Sequence, residues 1–421
     1  MSARSRPAPV SFRCRGHAGI AATHDKTLEF TREREITRRA TCVLGVASDH
    51  DDASLLRLRG DVAVSVEAGG VRDEFTATLT PFFLGDDSLI FRCGAGLRGR
   101  TLGYDASKSA ADVDRALVAC LSDPCSEVAI TIRELGTAPP PGALFVVAVP
   151  IGNDADLSPR ARQVLEAVDL VLAEDTRRYR DLAHRTGLRI ANELLSYHDQ
   201  NEAARADAAL EELRRGARVA LVSDAGTPLF SDPGYVVVRR ALAAGVDVSP
   251  VPGPSSLLAV LSVCGLPVDR FSYVAFLPRR AAARQAELAR LVERGETFVV
   301  HEAPHRVGAL LADLAVVAPA WRLCAGREVT KVFEEFKWGT AADLAQELDD
   351  KEPRGEFTLV ISPPSGAAPT TDAFDDEIER LVRALIEQGV STKTLAIALA
   401  ELPGMSRKAA YARVLDLAAP R

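Results

Sequence analysis

The chain has 421 residues, 47% hydrophobic and 26% charged, with a formal net charge of −7 and a mean hydropathy of +0.03. It is long enough for roughly two to four domains. It has no apolar run near the roughly 18 residues of a membrane span, and its basic start lacks the apolar core of a secretory signal. The seven cysteines, an odd number with no CxxC pair, argue against a disulfide framework or a zinc site and fit a reducing cytoplasm; net acidity argues against a uniformly basic surface, though one local basic face would suffice for RNA.

Two Pro-rich breaks organise the chain. The first runs from Thr137 to Gly142, the second from Pro363 to Thr371. Residues 1–10 read as a tail and 11–136 as an N-terminal α+β domain; 137–142 and 363–371 read as linkers. The first linker is stiff, which leads us to expect an independent front domain. That domain carries a weak internal echo. Leu44 to Ser48, a helix-like stretch and Val62 to Val66 are followed by Leu102 to Ser107, a longer helix pattern (Ala110 to Leu121) and Val128 to Ile132. The repeated order predicts a duplicated strand–helix–strand unit.

Residues 143–254 alternate apolar, β-branched runs with helical patterns. The strands are Leu144 to Val149, Leu170 to Ala173, Val219 to Ser223 and Val246 to Val251. The helices are Pro159 to Val168, Glu202 to Arg215 and Tyr235 to Ala244. Buried strands separated by helices predict a mainly parallel α/β sheet. Residues 255–362 give five more strands, at Tyr273 to Phe276, Phe298 to His301, Leu323 to Glu328, Glu334 to Trp338 and Phe357 to Ile361, with fewer helices between the later ones. This half is expected to contain antiparallel pairing. Residues 372–421 look all-helical. Ser391 and Ser406 can cap helices either side of a Pro403-Gly404 turn, as in a helix-turn-helix; a helical hairpin packed on the body reads equally well.

The chemistry is expected at strand ends. Pro150-Ile151-Gly152-Asn153 follows the first strand of the parallel sheet. Asp224-Ala225-Gly226-Thr227-Pro228 follows the third, and Pro252-Gly253-Pro254-Ser255-Ser256 the fourth. Ligands of open α/β sheets bind outside the carboxyl ends of the strands, so three Gly/Pro-rich loops point to one crevice. Neither phosphate-loop motif follows these strands, which suits a nucleoside-like ligand without a phosphate chain. Asp224 would pair with a cationic ligand group or cap a turn. Glu174-Asp175-Thr176-Arg177 ends the second strand, where Asp175 would serve the site or cap a helix. His301 and His305 have a metal-ligand spacing, but Pro304 breaks the helix between them, so no metal is expected. Arg327 to Lys331 would hold phosphate or form an ion-pair cluster.

Five segments together carry a resemblance. They are Pro150 to Asn153; Ala173 to Arg177; Val222 to Pro228 with Asp232-Pro233-Gly234; Pro252-Gly253-Pro254; and Arg327 to Lys331. In this order they resemble the ribosomal RNA small subunit methyltransferase I family, of the tetrapyrrole-methylase-like class, over about two-thirds of the chain. The resemblance implies two α/β subdomains with S-adenosylmethionine between them. It implies 2'-O-methylation of a cytidine in the decoding centre of 16S rRNA within the 30S subunit, a cytoplasmic homodimer, and no membrane.

On that reading Pro150, Gly152, Asn153, Asp224, Ala225, Gly226, Thr227, Pro228, Pro254, Ser255 and Ser256 hold the cofactor. Arg177, Arg306, Lys331, Arg407 and Lys408 contact RNA. The base that takes the ribose proton lies among Glu174, Asp175, Asp224, Glu302 and Lys331. Asp154 and His301 depart from the family pattern, where an apolar residue and Tyr are expected. A tetrapyrrole methylase and a non-catalytic RNA-binding protein are the competing readings. The N-terminal domain resembles a small, mainly archaeal family of unknown role, through Cys14 to His17, Ala22 to Thr27 and Gly45 to Asp49. Within it, His17 and His24 are functional candidates or structural histidines.

Overall fold

The computed structural model describes residues 7–37, 39–94, 101–136, 142–190, 193–349, 355–364, 372–400 and 407–418; the side chains of 348–349, 372–379 and 407–409 lie outside the description. Most of both linkers, the Pro403-Gly404 turn and Ser406 therefore fall outside it. The chain forms two compact units, Met1–Ser256 and Leu257–Arg421.

The first unit begins with an eight-stranded sheet: β1 (Val10–Arg15), β2 (Thr27–Thr31), β3 (Val43–Gly45), β4 (Asp61–Ala68), β5 (Val71–Leu79), β6 (Ser88–Arg92), β7 (Thr101–Tyr104) and β8 (Glu127–Glu134), with helices α1 (Asp52–Leu55) and α2 (Arg115–Leu121). Its order is β1-β8-β4-β5-β7-β6-β2-β3. The two edge strands meet through a two-way backbone hydrogen bond between Arg15 and Val46, so the sheet curls toward closure and its edges are partly paired. Gly45 permits the approach, because a Cβ there would lie 2.6 Å from Cys14 Cβ. One apolar cluster fills this domain, including Phe12, Phe30, Phe91 and Ile130. The echoed strand–helix–strand order is present as β3-α1-β4 and β7-α2-β8. The strands of each echo are not neighbours in the sheet, so two local βαβ units do not form.

The rest of the first unit is a five-stranded, wholly parallel sheet: β9 (Ala143–Val147), β10 (Leu170–Ala173), β11 (Glu193–Ser196), β12 (Arg218–Val222) and β13 (Asp247–Val251), ordered β11-β10-β12-β9-β13. The crossovers are α3 (Pro159–Ala167), α4 (Thr176–Thr186), α5 (Glu202–Arg214) and α6 (Tyr235–Ala243). Cores lie on both faces of this sheet, one including Phe145, Val164 and Ala220, the other Leu144, Leu172 and Val219. Burial on both faces explains why β10 and β12 are unbroken apolar runs. The sequence marks only the cap of α4, at Asp175, and gives no sign of β11. In α4 only Tyr179, Leu182 and Ala183 are buried among charged residues, and β11 is a half-exposed edge strand.

Helix α7 (Ser256–Val263) leads into the second unit. That unit holds β14 (Phe271–Phe276), α8 (Ala281–Glu293), β15 (Thr297–Glu302), α9 (Pro304–Val317), β16 (Arg322–Arg327), β17 (Glu335–Gly339), α10 (Ala341–Asp349) and β18 (Phe357–Ser362). The order is β14-β15-β18-β16-β17, with β14 and β15 parallel and the other pairs antiparallel. Helices α11 (Asp372–Glu387), α12 (Thr392–Leu399) and α13 (Arg407–Ala418) follow, packed through residues such as Val382, Leu395 and Val414. Ser391 caps α12 by accepting a hydrogen bond from Thr394 N at 3.2 Å. Among the described residues, no helix is long and apolar enough to cross a membrane.

A buried polar collar sets the start of α6. The Glu202 carboxylate accepts from the amides of Gly234 (3.0 Å) and Val236 (3.1 Å) and from the Tyr197 hydroxyl (3.0 Å). Tyr197 in turn accepts from Val237 N at 3.2 Å. An anion at a helix amino end satisfies amides that have no partner within the helix. Tyr197 is fully buried, so replacing it with Phe keeps the packing but strands an amide. We expect Tyr197→Phe to lower stability by about 1–3 kcal/mol in chemical denaturation.

Candidate functional site

Four loops stand at the carboxyl ends of β9, β10, β12 and β13. The β9 and β12 loops are tied by a two-way backbone bond, Val149 N to Gly226 O at 2.9 Å and Gly226 N to Val149 O at 3.1 Å. The β13 loop joins through Thr227 Oγ1, which donates to Pro254 O at 3.0 Å. Gly226 has φ +79°, a conformation costly for a side chain. A Cβ there would come 3.3 Å from Ile151 and 3.8 Å from Pro254 O. The structure thus brings together Pro150 to Asn153, Asp224 to Pro228 and Pro254, as the strand ends imply. The Asn153 side chain caps a short turn by accepting from Ala155 N at 3.1 Å. Asp154, an apolar position in the expected pattern, forms a two-pronged pair with Arg185 at 2.9 and 3.1 Å.

The β10 and β12 loops are cross-braced by carboxylates. Asp224 Oδ1 accepts from Asp175 N at 3.0 Å, and Glu174 Oε2 accepts from Asp224 N at 3.3 Å. Arg178 pairs with Asp224 at 3.2 Å. Asp175 caps α4, accepting from Arg177 N at 2.8 Å and from its guanidinium at 2.7 and 3.1 Å. The Arg177 contacts hold the Asp175 carboxyl well below its ordinary range, so it stays charged and is a poor proton acceptor. Glu174 differs. Burial, and then the neighbouring Asp224, push its carboxyl up. The strongest effect falls on Asp232, raised to about 7 by burial and then by Glu174, with a Ser223 hydrogen bond opposing. Asp199 adds to the negative field at both carboxyls. The sequence reading quoted Asp232 in a motif but gave it no chemical role. Its signal was the Asp-Pro-Gly turn eight residues after Asp224.

The second unit accounts for the remaining candidates. Glu302 is buried at 2% exposure; one oxygen accepts from Ala303 N at 2.9 Å and the other lies 3.2 Å from Arg306. Arg306 turns inward to Leu277 O at 2.8 Å, an anchoring contact within the fold. Lys331 pairs with Glu328 at 2.8 Å and Glu356 at 3.5 Å. Burial opposes its charge, but these carboxylates outweigh that and hold its pKa above the ordinary value, so it is protonated at neutral pH. His301 bonds Thr358 Oγ1 at 3.0 Å and packs edge-on to Tyr273; burial lowers its pKa. Arg177 is 84% exposed. Arg407 and Lys408 open α13, with side chains outside the described residues. In the front domain, His17 accepts from Gly19 N at 2.9 Å and meets Glu35 at 3.3 Å, and His24 accepts from Lys26 N; both shape local turns.

The raised Asp232 carboxyl has a pH consequence. The folded chain keeps a proton there up to about pH 7, while the unfolded chain releases it near 3.8. Stability tied to this group is therefore full below pH 4 and is lost as pH rises toward 7. Asp232→Asn removes that loss. Its midpoint of unfolding should exceed the wild-type value by a margin that grows between pH 4 and 7 and then levels off. Parallel pH profiles for the two proteins would contradict this.

Residues 143–345 match the family model of Tetrapyrrole (Corrin/Porphyrin) Methylases. Residues 12–135 match a Domain of unknown function, DUF371. The Ribosomal RNA small subunit methyltransferase I of Xylella fastidiosa (strain Temecula1) is 43% identical over 274 residues, 64% of this chain and 98% of that protein. The protein of the same name from Escherichia coli O157:H7 is 37% identical over 276 residues, 65% of this chain and 95% of that one. A crystal structure of the methyltransferase CobJ aligns with 19% identity and a TM-score of 0.41, over 53% of this chain and 94% of that one. Near-complete coverage of relatives at such identity means that the chain belongs to the ribosomal RNA small subunit methyltransferase I family.

Proposed function

We propose that the protein methylates a ribose 2'-oxygen of a cytidine in the decoding centre of 16S rRNA, using S-adenosylmethionine. The observation that carries this reading is the 43% identity over 98% of a relative's length. Three features of the loops fit the cofactor. Gly226 leaves a space that a Cβ would crowd. Asp224 supplies negative charge suited to its cationic groups. No phosphate-binding motif follows these strands. Pro150, Gly152, Asn153, Asp224 to Pro228, Pro254, Ser255 and Ser256 would hold it. When bound, it supplies an electrophilic methyl group on positively charged sulfur.

The chain's own work is to position the acceptor and take its proton. A ribose hydroxyl is a weak nucleophile at neutral pH, and a carboxylate within reach helps. Asp175 is committed to its cap and Arg177, Asp224 to Arg178 and the Asp175 amide, Lys331 is protonated, and Glu302 is enclosed with Arg306. Glu174 and Asp232 remain. Burial raises both carboxyls, and a raised carboxyl is the better proton acceptor. As the ribose oxygen takes up the methyl group, its hydroxyl proton would pass to the Glu174 and Asp232 carboxyls. Exposed Arg177 would meet RNA phosphate, a contact that weakens with salt. Action in the cytoplasm and a homodimer complete the proposal and rest on the family resemblance.

The test is transfer of a labelled methyl group, offering 30S subunits and, separately, a precorrin. Label in 16S rRNA, mapped by mass spectrometry to a cytidine ribose, is expected. Label in the precorrin alone would favour a pigment methylase, and no binding of S-adenosylmethionine would favour a non-catalytic RNA-binding protein. Glu174→Gln should lower kcat by roughly 10²- to 10⁴-fold while cofactor affinity stays within a few-fold. A full-rate Glu174→Gln enzyme would remove that residue from proton transfer.

A further inference from the structure

The Pro-rich joint leads one to expect an independent front domain, yet that domain is seated on the parallel sheet within one compact unit. Two of its loops make the contact. From the loop after β5, the Phe82 ring meets Phe145 of β9 edge-on, with centroids 5.5 Å apart, and Leu84 packs into the same apolar cluster. From the loop after α1, Arg59 lies 3.4 Å from Asp169, with only 6% of the Arg59 side chain exposed. Asp169 immediately precedes β10. Its carboxylate also accepts from Arg218 N at 2.8 Å, at the start of β12. The buried Arg218 guanidinium reaches back to Leu56 O at 3.4 Å. At the start of β13, Asp247 lies within electrostatic reach of Tyr104 at the end of β7.

These contacts share one geometric property. Asp169, Arg218 and Asp247 stand at the amino ends of the strands whose carboxyl ends bear the four site loops, and Phe145 lies within β9. Through these contacts the front domain holds the strands that carry those loops. Arg59 is itself fixed: its amide donates to Glu134 at 2.6 Å and its guanidinium also donates to Leu56 O and Leu58 O. A rigid donor on one domain meets a carboxylate that already ties two strands of the other.

We propose that the front domain is a brace for the methyltransferase sheet, with Phe82 and Arg59 as positioning residues that set the order of the cofactor loops from the far ends of their strands. The inference rests on the proposed use of S-adenosylmethionine for its functional half alone; the mechanical half stands without it.

The experiment compares full-length wild type with Phe82→Ala, Arg59→Met and the double variant, with Phe82→Leu and Arg59→Lys as conservative versions. Hydrogen exchange is read at β9, β10 and β12, at the loops 148–153 and 223–228, and inside the front domain at β4 and β8. Binding of S-adenosylmethionine is read by calorimetry. We expect the double variant to lose protection in strands and loops while β4 and β8 keep theirs. Cofactor affinity should fall by at least roughly fivefold, the lower end of ordinary coupling between sites. Arg59→Lys and Phe82→Leu should restore most of both. If β4 and β8 also lose protection in Phe82→Ala, the Arg59→Met and Arg59→Lys pair decides. Unchanged exchange in the loops, or unchanged affinity despite looser strands, would overturn the proposal. A wild type that binds no S-adenosylmethionine would instead sink the proposed function.

Discussion

The paired backbone bonds between Val149 and Gly226 are the constraint on which the site depends. Parallel strands carry their loops away from the sheet with no automatic link between them. Here the loop after β9 and the loop after β12 are stitched together just beyond the sheet, and Thr227 fastens the β13 loop to the same point. Only a residue free to take φ +79° completes the stitch without strain. Everything polar at the site is arranged around it. Asp224 lies two residues before Gly226 and is therefore held where its carboxylate can receive the Asp175 amide.

The carboxylates illustrate how similar groups acquire different roles. Asp175, Glu174 and Asp232 lie near one another at the strand ends. Asp175 faces an arginine and an open helix end, so it is held charged. Asp232 is buried beside Glu174, so its charge is disfavoured. Environment, rather than residue type, separates a capping group from a proton acceptor.

The strands of the parallel sheet were legible because burial on both faces makes them continuous apolar runs, and their loops were legible because Gly and Pro punctuate them. Helix α4 was legible only at its Asp175 cap, since only three of its side chains are buried and the rest of its surface reads as charge. Asp224 and Gly226 stood out from their motif. The raised pKa of Asp232 did not, because it arises from burial in the fold and then from Glu174, 58 positions away in the sequence. The roles of Lys331 and Arg306 were equally hidden. A basic residue at a strand end looks available until its carboxylate or carbonyl partner is seen. The stiff linker is a reading of local composition, and composition of a joint says nothing of the surfaces on either side. Phe82 and Arg59 close that gap through contacts 63 and 110 positions apart in the sequence.

The pairing of β1 with β8 has a consequence for how the protein is made. Val10 finds its partner at Ile132, and the Arg15–Val46 closure completes a ring that no early fragment can finish. During synthesis at about 5–20 residues per second, the first strand must wait several seconds with one edge bare. The methyltransferase strands emerge afterwards, when every strand of the front sheet has been made. Birth order thus places the segment that carries Phe82 and Arg59 ahead of the sheet that rests on it.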